Sequence, residues 1–182
     1  ERRMNEIATE LGAFRSEQFC NEANAKAHEK FTGPEIWEQT NGMVDVFLHF
    51  VGTSGSFAGV TRFLKTKNPK LRAYVVEPHG AAALAGEKVS CGNHRIQGGG
   101  YSRRDLALLD RAQVDGFLKV TDEQAIAGAR LLAAEEGIFA GFSSGAHVAA
   151  AIGLLQEREA GTNIVFLACD SGLKYCSTEL FT

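Results

Sequence analysis

The sequence predicts an α/β domain built on a mostly parallel sheet with helices on both faces. Three observations predict it. Helical and strand patterns alternate along the chain; the strand-like runs are apolar at nearly every position, as in strands covered on both sides; and two of the turns from strand to helix are rich in glycine and small hydroxyl residues. In such sheets ligands bind beyond the carboxyl ends of the strands, which is where those turns fall.

Residues 2–11 place Met4, Ile7 and Leu11 at helical spacing, and Gly12 ends the helix as glycine does at a C-terminal cap. A second helical stretch covers residues 24–39, interrupted or bent near Gly33-Pro34. Residues 44–51 are nearly all apolar, too short for a free-standing helix and rich in β-formers, and read as a buried strand. The turn Gly52-Thr53-Ser54-Gly55-Ser56 then leads into a helix over 57–67, followed by a strand over 73–76. Residues 78–103 are punctuated by glycine and lack a period, a long excursion of the kind that carries function. A short strand at 117–120 precedes Thr121, which caps a helix with Glu123 and Gln124 in its first turn and Gly137 at its end. Residues 138–142 read as a strand, Ser143-Ser144-Gly145 as a turn, 146–158 as a helix and 163–168 as the last buried strand.

A chain of 182 residues is long enough to bury a sizeable core. Nineteen Lys and Arg against 22 Asp and Glu leave a net charge of −3, which argues against a dedicated nucleic-acid binder. No apolar run approaches the roughly 20 residues of a membrane span, and the opening Glu1-Arg2-Arg3 does not start a signal peptide. Cys20, Cys91, Cys169 and Cys176 form no C-x-x-C pair and have no nearby His in metal-ligand spacing, so they read as free thiols of a reducing cytoplasm, with no metal. His28 and His147 read as capping or surface residues. Glycine, at 20 residues, exceeds the usual share of about 7%.

The strongest chemical signal is the strand, the G-T-S-G-S turn and the following helix. Free N–H groups and the dipole at a helix N-terminus favour an anion, and Thr53, Ser54 and Ser56 can add hydroxyl donors. No Lys follows Gly55, which excludes a P-loop, and Gly52, Gly55 and Gly59 do not give the dinucleotide spacing. A monophosphate site remains. Gly141-Phe142-Ser143-Ser144-Gly145-Ala146 forms a second turn between strand and helix, readable by itself as a cap beside a close-packed glycine.

Together the segments Gln18-Phe19 with Asn21 and Asn24, Thr32-Gly33-Pro34-Glu35-Ile36-Trp37, Gly52 to Ser56, Glu77-Pro78, Ile96-Gln97-Gly98-Gly99-Gly100, Ser143-Ser144-Gly145-Ala146 and Asp170-Ser171-Gly172 resemble the cysteine synthase (O-acetylserine sulfhydrylase) family. These are pyridoxal-phosphate enzymes of the tryptophan synthase β-subunit type, fold type II. The resemblance implies that Gly52, Thr53, Ser54, Gly55 and Ser56 hold the cofactor phosphate, that the Ser143 hydroxyl faces the pyridine nitrogen, that Gln18 helps bind the substrate carboxylate, and that Gly98 and Gly99 lie by the substrate mouth, where missing side chains leave room for loop movement. A neutral hydroxyl makes the ring a weaker electron sink than a carboxylate would, which suits β-replacement better than transamination. The implied reaction converts O-acetylserine and sulfide to cysteine and acetate. A homodimer is implied as well, and family members can bind the tail of serine acetyltransferase.

The family's Schiff-base lysine and its Thr/Ser-Gly-Asn-Thr loop lie upstream of the matched region, and Lys26, Lys30, Lys65, Lys67, Lys70, Lys88, Lys119 and Lys174 all fall at positions the family does not use for this purpose. The expectation is therefore the carboxyl-terminal three-fifths of such an enzyme: residues 1–20 as the last helix and strand of a small lobe, and 21–182 as the large phosphate-binding lobe. Departures from the family pattern include Asn21-Glu22-Ala23-Asn24-Ala25 without its usual prolines, Ser56 in place of Thr, and His49-Phe50 where small residues are usual. On the substrate side, Gln97-Gly98-Gly99-Gly100-Tyr101-Ser102 replaces a Gly-Ile-Gly-Ala-Gly-type stretch, which leaves open a β-eliminating cysteine desulfhydrase or serine dehydratase or a cystathionine β-synthase-like condensation; a non-catalytic fragment that binds phosphate or a partner is open as well.

Overall fold

A computed structural model describes residues 2–157 and 159–181. Four strands, β1 (Val46–Phe50), β2 (Arg72–Pro78), β3 (Gly116–Val120) and β4 (Ile164–Val165), form one sheet in the order β3-β2-β1-β4, and every pairing is parallel. Helices α1 (Arg2–Leu11), α2 (Glu22–Ala27), α3 (Gly33–Gln39), α4 (Gly55–Lys67), α5 (Asp122–Glu136) and α6 (Phe142–Glu157) complete the set. The α/β class predicted from the alternating pattern is the one observed. Successive residues of β1 point to opposite faces: Val46, Leu48 and Phe50 join Ala125, Ala129 and Ala146 of α5 and α6, whereas Phe47 joins Phe57, Val60 and Leu64 of α4.

Strand order grows from β1 through β2 to β3 on one side, then returns with β4 on the other. The reversal makes the end of β1 a topological switch point, where open α/β sheets leave a crevice for ligands. On the β4 side of this point the pairing is short. The ladder with β1 holds only Val46 with Ile164 and Phe47 with Val165, so the strand predicted over 163–168 shrinks to two residues. Beyond it the imidazole of His147 stands in for the missing ladder. Nε2 accepts from the Phe50 N–H at 2.7 Å, and Nδ1 lies 2.9 Å from the Leu167 carbonyl, to which it donates. His147 is fully buried, which corrects its reading as a capping or surface residue.

Local signals account for most helix ends. Thr121 and Gln124 form a reciprocal capping box, and Gly137 closes α5 in the left-handed conformation at φ +68°. The second helix begins earlier than predicted, because the Asn21 side chain caps α2 by accepting from the Ala23 N–H. Near Gly33-Pro34 the chain does not break; a π-helical turn over His28–Thr32 widens the helix ahead of Pro34, which has no N–H to give. The strand predicted over 138–142 is reduced to a single antiparallel bridge between Ala140 and Ser171. The Gly141 carbonyl already accepts the first helical bond, from the Gly145 N–H, so Ser143, Ser144 and Gly145 lie inside the first turn of α6 instead of before it. The predicted end of that helix at Arg158 lies outside the described residues. Residues 13–17 pair with no strand among the described residues.

Burial lowers the His147 pKa from 6.5 to about 4, and burial together with the nearby His147 and His28 holds His49 well below 6.5. Unfolding therefore takes up protons between these values, and stability is expected to be full above about pH 6.5 and to fall as pH drops toward 4, by about 1.4 kcal/mol per pH unit for each histidine. Urea denaturation across this range checks it. His147→Phe is expected to remove one histidine's share of the slope and to cost about 2–3 kcal/mol at pH 8, because the Phe50 N–H and the Leu167 carbonyl lose their partner.

Candidate functional site

The crevice is lined first by the turn between β1 and α4. Ser54 sits at φ +65°, a left-handed conformation that swings the backbone so that α4 starts at Gly55, two residues earlier than predicted. Among the described residues the N–H groups of Ser56 and Phe57 meet no acceptor, as expected for the first turn of a helix. They are the unpaired donors of a thirteen-residue helix, where the dipole favours negative charge.

The three hydroxyls of the turn do different things. Ser54 is buried and its Oγ donates to the Thr53 carbonyl at 2.5 Å, so its contribution is backbone shape and not the outward donor predicted for it. Thr53 Oγ1 accepts twice, from the Gly55 N–H at 3.2 Å and from the Asn24 side-chain amide at 2.9 Å. A hydroxyl has two lone pairs and one proton, so with both lone pairs engaged the Thr53 proton is left to donate into the crevice. Ser56 Oγ shares a 2.9 Å hydrogen bond with His49 Nε2.

Asn24 ties this turn to the segment before it. Its Nδ2 donates to the Gln18 carbonyl and to Thr53 Oγ1, both at 2.9 Å, and its Oδ1 lies so close over Gly55 that a Cβ there would overlap it. Gln18 is thereby held beside the turn by its backbone; its side chain is exposed and makes no hydrogen bond among the described residues. Sequence reasoning did not single Asn24 out as a site residue. Its one signal was its place within a motif, since its partners lie six and 29 positions away.

The glycine loop at 98–100 folds back onto the same turn. The Gly100 N–H donates to the Val51 carbonyl at 3.1 Å, and a Cβ at Gly99 would overlap that carbonyl and meet the Phe50 ring at 2.6 Å. Gly98 adopts φ +91°, and its carbonyl lies 2.5 Å from where a Cβ of Gly52 would be. Gly99 thus has no side chain because the backbones touch, a different reason from the room for movement expected of it.

Across the switch point, Ser143 is buried in the first turn of α6, and burial raises the pKa of the Cys169 thiol while the Ser143 hydroxyl offsets part of that rise. Ser144 Oγ accepts from the Cys169 N–H at 3.2 Å, and Asp170 accepts from the Tyr175 hydroxyl at 2.6 Å, fixing the chain that follows β4. Ligand atoms of His49, His147 and Cys169 lie within 4.8 Å of one another. Both nitrogens of His147 are already bonded to backbone, however, so the three present no open ligand set. His28, half-buried on the π turn, shares a 3.0 Å hydrogen bond with Thr32 Oγ1, and burial lowers its pKa.

Unpaired helix N–H groups, an outward threonine hydroxyl and a loop without charged side chains suit a phosphate monoester, and Ser143 offers a neutral hydroxyl on the opposite wall. These groups lie at the strand ends of an α/β sheet, where such folds take their ligands. The chain matches the family described as pyridoxal-phosphate dependent enzyme over residues 1–170 and belongs to it. It is 50% identical to cysteine synthase A of Escherichia coli (strain K12) over 173 residues, covering 91% of this chain and 53% of that protein. Among solved structures it is similar to cysteine synthase (OASS) from Entamoeba histolytica, with TM-score 0.91, 34% identity and coverage of 99% of this chain and 53% of that one. A hydrogen sulfide-producing enzyme from Fusobacterium nucleatum is similar too, with TM-score 0.87, 36% identity and coverage of 96% and 58%. The chain spans about half the length of the curated relatives it matches.

Contact between Asn24 and Gly55 yields a double-mutant test. Gly55→Ala is expected to destabilise the fold by about 2 kcal/mol through overlap with the Asn24 amide. Adding Asn24→Ala should recover part of that loss despite removing two hydrogen bonds, a coupling that urea denaturation of the single and double variants measures.

Proposed function

We propose that this chain is the phosphate-gripping portion of a cysteine synthase-like enzyme that converts O-acetylserine and sulfide to cysteine and acetate. The observation that carries the reading is the cradle at the end of β1, where the Ser56 and Phe57 N–H groups and the Thr53 hydroxyl converge at one helix N-terminus. Its likeness in sequence to cysteine synthases along nearly its whole length supports the choice of reaction. Pyridoxal phosphate, when bound, supplies an electron sink for loss of the α-proton and of the β-leaving group.

In this reading the residues from Gly52 to Ser56 hold the phosphate, Gly52 and Gly55 by letting Gly98 and Asn24 approach and Ser54 by its left-handed turn. The Ser143 hydroxyl stands at the pyridine nitrogen without charging it. Gln18, pinned through its carbonyl by Asn24, orients the substrate carboxylate, with Gly98 and Gly99 forming the opposing rim. The proton-moving lysine lies outside this chain: none of its eight lysines is buried, whereas a lysine with the depressed pKa required would be. Residues 1–20 belong to a small lobe and 21–182 to the large one, in keeping with solvent-exposed Met4, Leu11 and Phe14 on and after α1. Four exposed free cysteines suit a reducing cytoplasm, and the assembly is a homodimer.

A second reading, β-elimination with release of sulfide, is favoured by the likeness to the hydrogen sulfide-producing enzyme. The two separate in one assay of the full-length protein carrying this chain. Given O-acetylserine and sulfide, it is expected to form cysteine with release of acetate, and given cysteine alone to release little sulfide. Sulfide release without cysteine formation would overturn the synthase reading in favour of elimination.

A further inference from the structure

Behind the phosphate cradle stands a buried histidine. His49, on β1 and 5% exposed, places Nε2 2.9 Å from Ser56 Oγ. Its ring stacks on Phe47 at 5.9 Å and lies 5.0 Å from the His147 ring, so its orientation is held on two sides. Nδ1 is buried and has no partner among the described residues.

That orphan decides the tautomer. Were the proton on Nδ1, a buried N–H would go without an acceptor, and unpaired buried N–H groups are the rarer kind of orphan. With the proton on Nε2, His49 donates to Ser56 Oγ, and the serine's own proton cannot be spent on the imidazole. Among the described residues it has no other acceptor, and Ser56 is half-exposed at the mouth of the cradle. Burial and the neighbouring His147 and His28 keep the imidazole neutral, the state that has a single N–H to give.

We propose that His49 is a positioning residue for phosphate monoester recognition: by donating Nε2–H to Ser56 Oγ it turns the Ser56 hydroxyl proton toward an anion at the N-terminus of α4. The proposal rests on the reading of this turn as a phosphate grip, and the experiment keeps the two apart. The 182-residue chain is titrated calorimetrically with pyridoxine 5'-phosphate and with pyridoxine, neither of which has an aldehyde, so that only non-covalent contacts are read. Ser56→Ala is expected to weaken binding of the phosphate form about tenfold, and His49→Leu about fivefold, with pyridoxine unaffected by either.

The double variant should bind no more weakly than Ser56→Ala alone, because both substitutions remove one relay. His49→Gln, whose amide N–H can take the place of Nε2–H, should restore binding to within about twofold. Circular dichroism checks folding; should the leucine variant not fold, His49→Asn, which is polar but stops short of Ser56, replaces it. Additive losses, equal weakening of pyridoxine, or a glutamine variant no better than leucine would overturn the role of His49 while leaving the phosphate grip standing. Wild-type protein that binds the two ligands equally would overturn both.

Discussion

The Asn24 side chain has only one amide, and all of it is committed. Its two N–H groups hold the Gln18 carbonyl and the Thr53 hydroxyl, and its oxygen lies over Gly55, where no side chain could fit. From this contact the rest of the crevice follows. Thr53 has its lone pairs filled and its proton turned outward, Gly55 begins α4 at a fixed place, and the chain before α2 is brought beside the chain after β1. A substitution at any of the three would loosen the other two, since they share one part-buried hydrogen-bond network.

A second constraint shapes the opposite wall. Parallel strands that paired along their full length would close the end of β1 against β4. Here the pairing stops after two residues and His147 spans the gap, giving Phe50 and Leu167 the bonds a ladder would have supplied. The sheet thus splays at the switch point without leaving these two backbone groups unpaired. The imidazole must be neutral to accept from Phe50 and donate to Leu167 at once, and complete burial keeps it so. Neutral histidines on both β1 and α6 are what make the geometry of this site sensitive to acid.

Much of this was legible in the sequence where the cause is local. The capping box of α5 depends on Thr121 and Gln124 three positions apart, and the apolar run before Gly52 could only be a short buried strand. The turn rich in glycine and hydroxyls was recognisable as the start of a helix with unpaired N–H groups, because helix N-termini have such groups wherever they occur. What was not legible depends on distant partners. His147 bonds to Phe50, 97 positions away, so nothing beside it in the chain distinguishes it from a surface residue. The length of β4 is set by that same bond, and the strand pattern of residues 163–168 is no guide to where pairing ends. Likewise Ser54 looks like a donor until its hydroxyl is seen to close on the neighbouring carbonyl.

An anion held by the first-turn N–H groups of α4 would be read directly in their amide chemical shifts. In proton–nitrogen correlation spectra of the labelled chain titrated with pyridoxine 5'-phosphate, the Ser56 and Phe57 amides are expected to move downfield and to show the largest changes in the protein. Pyridoxine without its phosphate should leave them in place. Changes confined to other surfaces, with Ser56 and Phe57 unmoved, would rule out an anion grip at this helix.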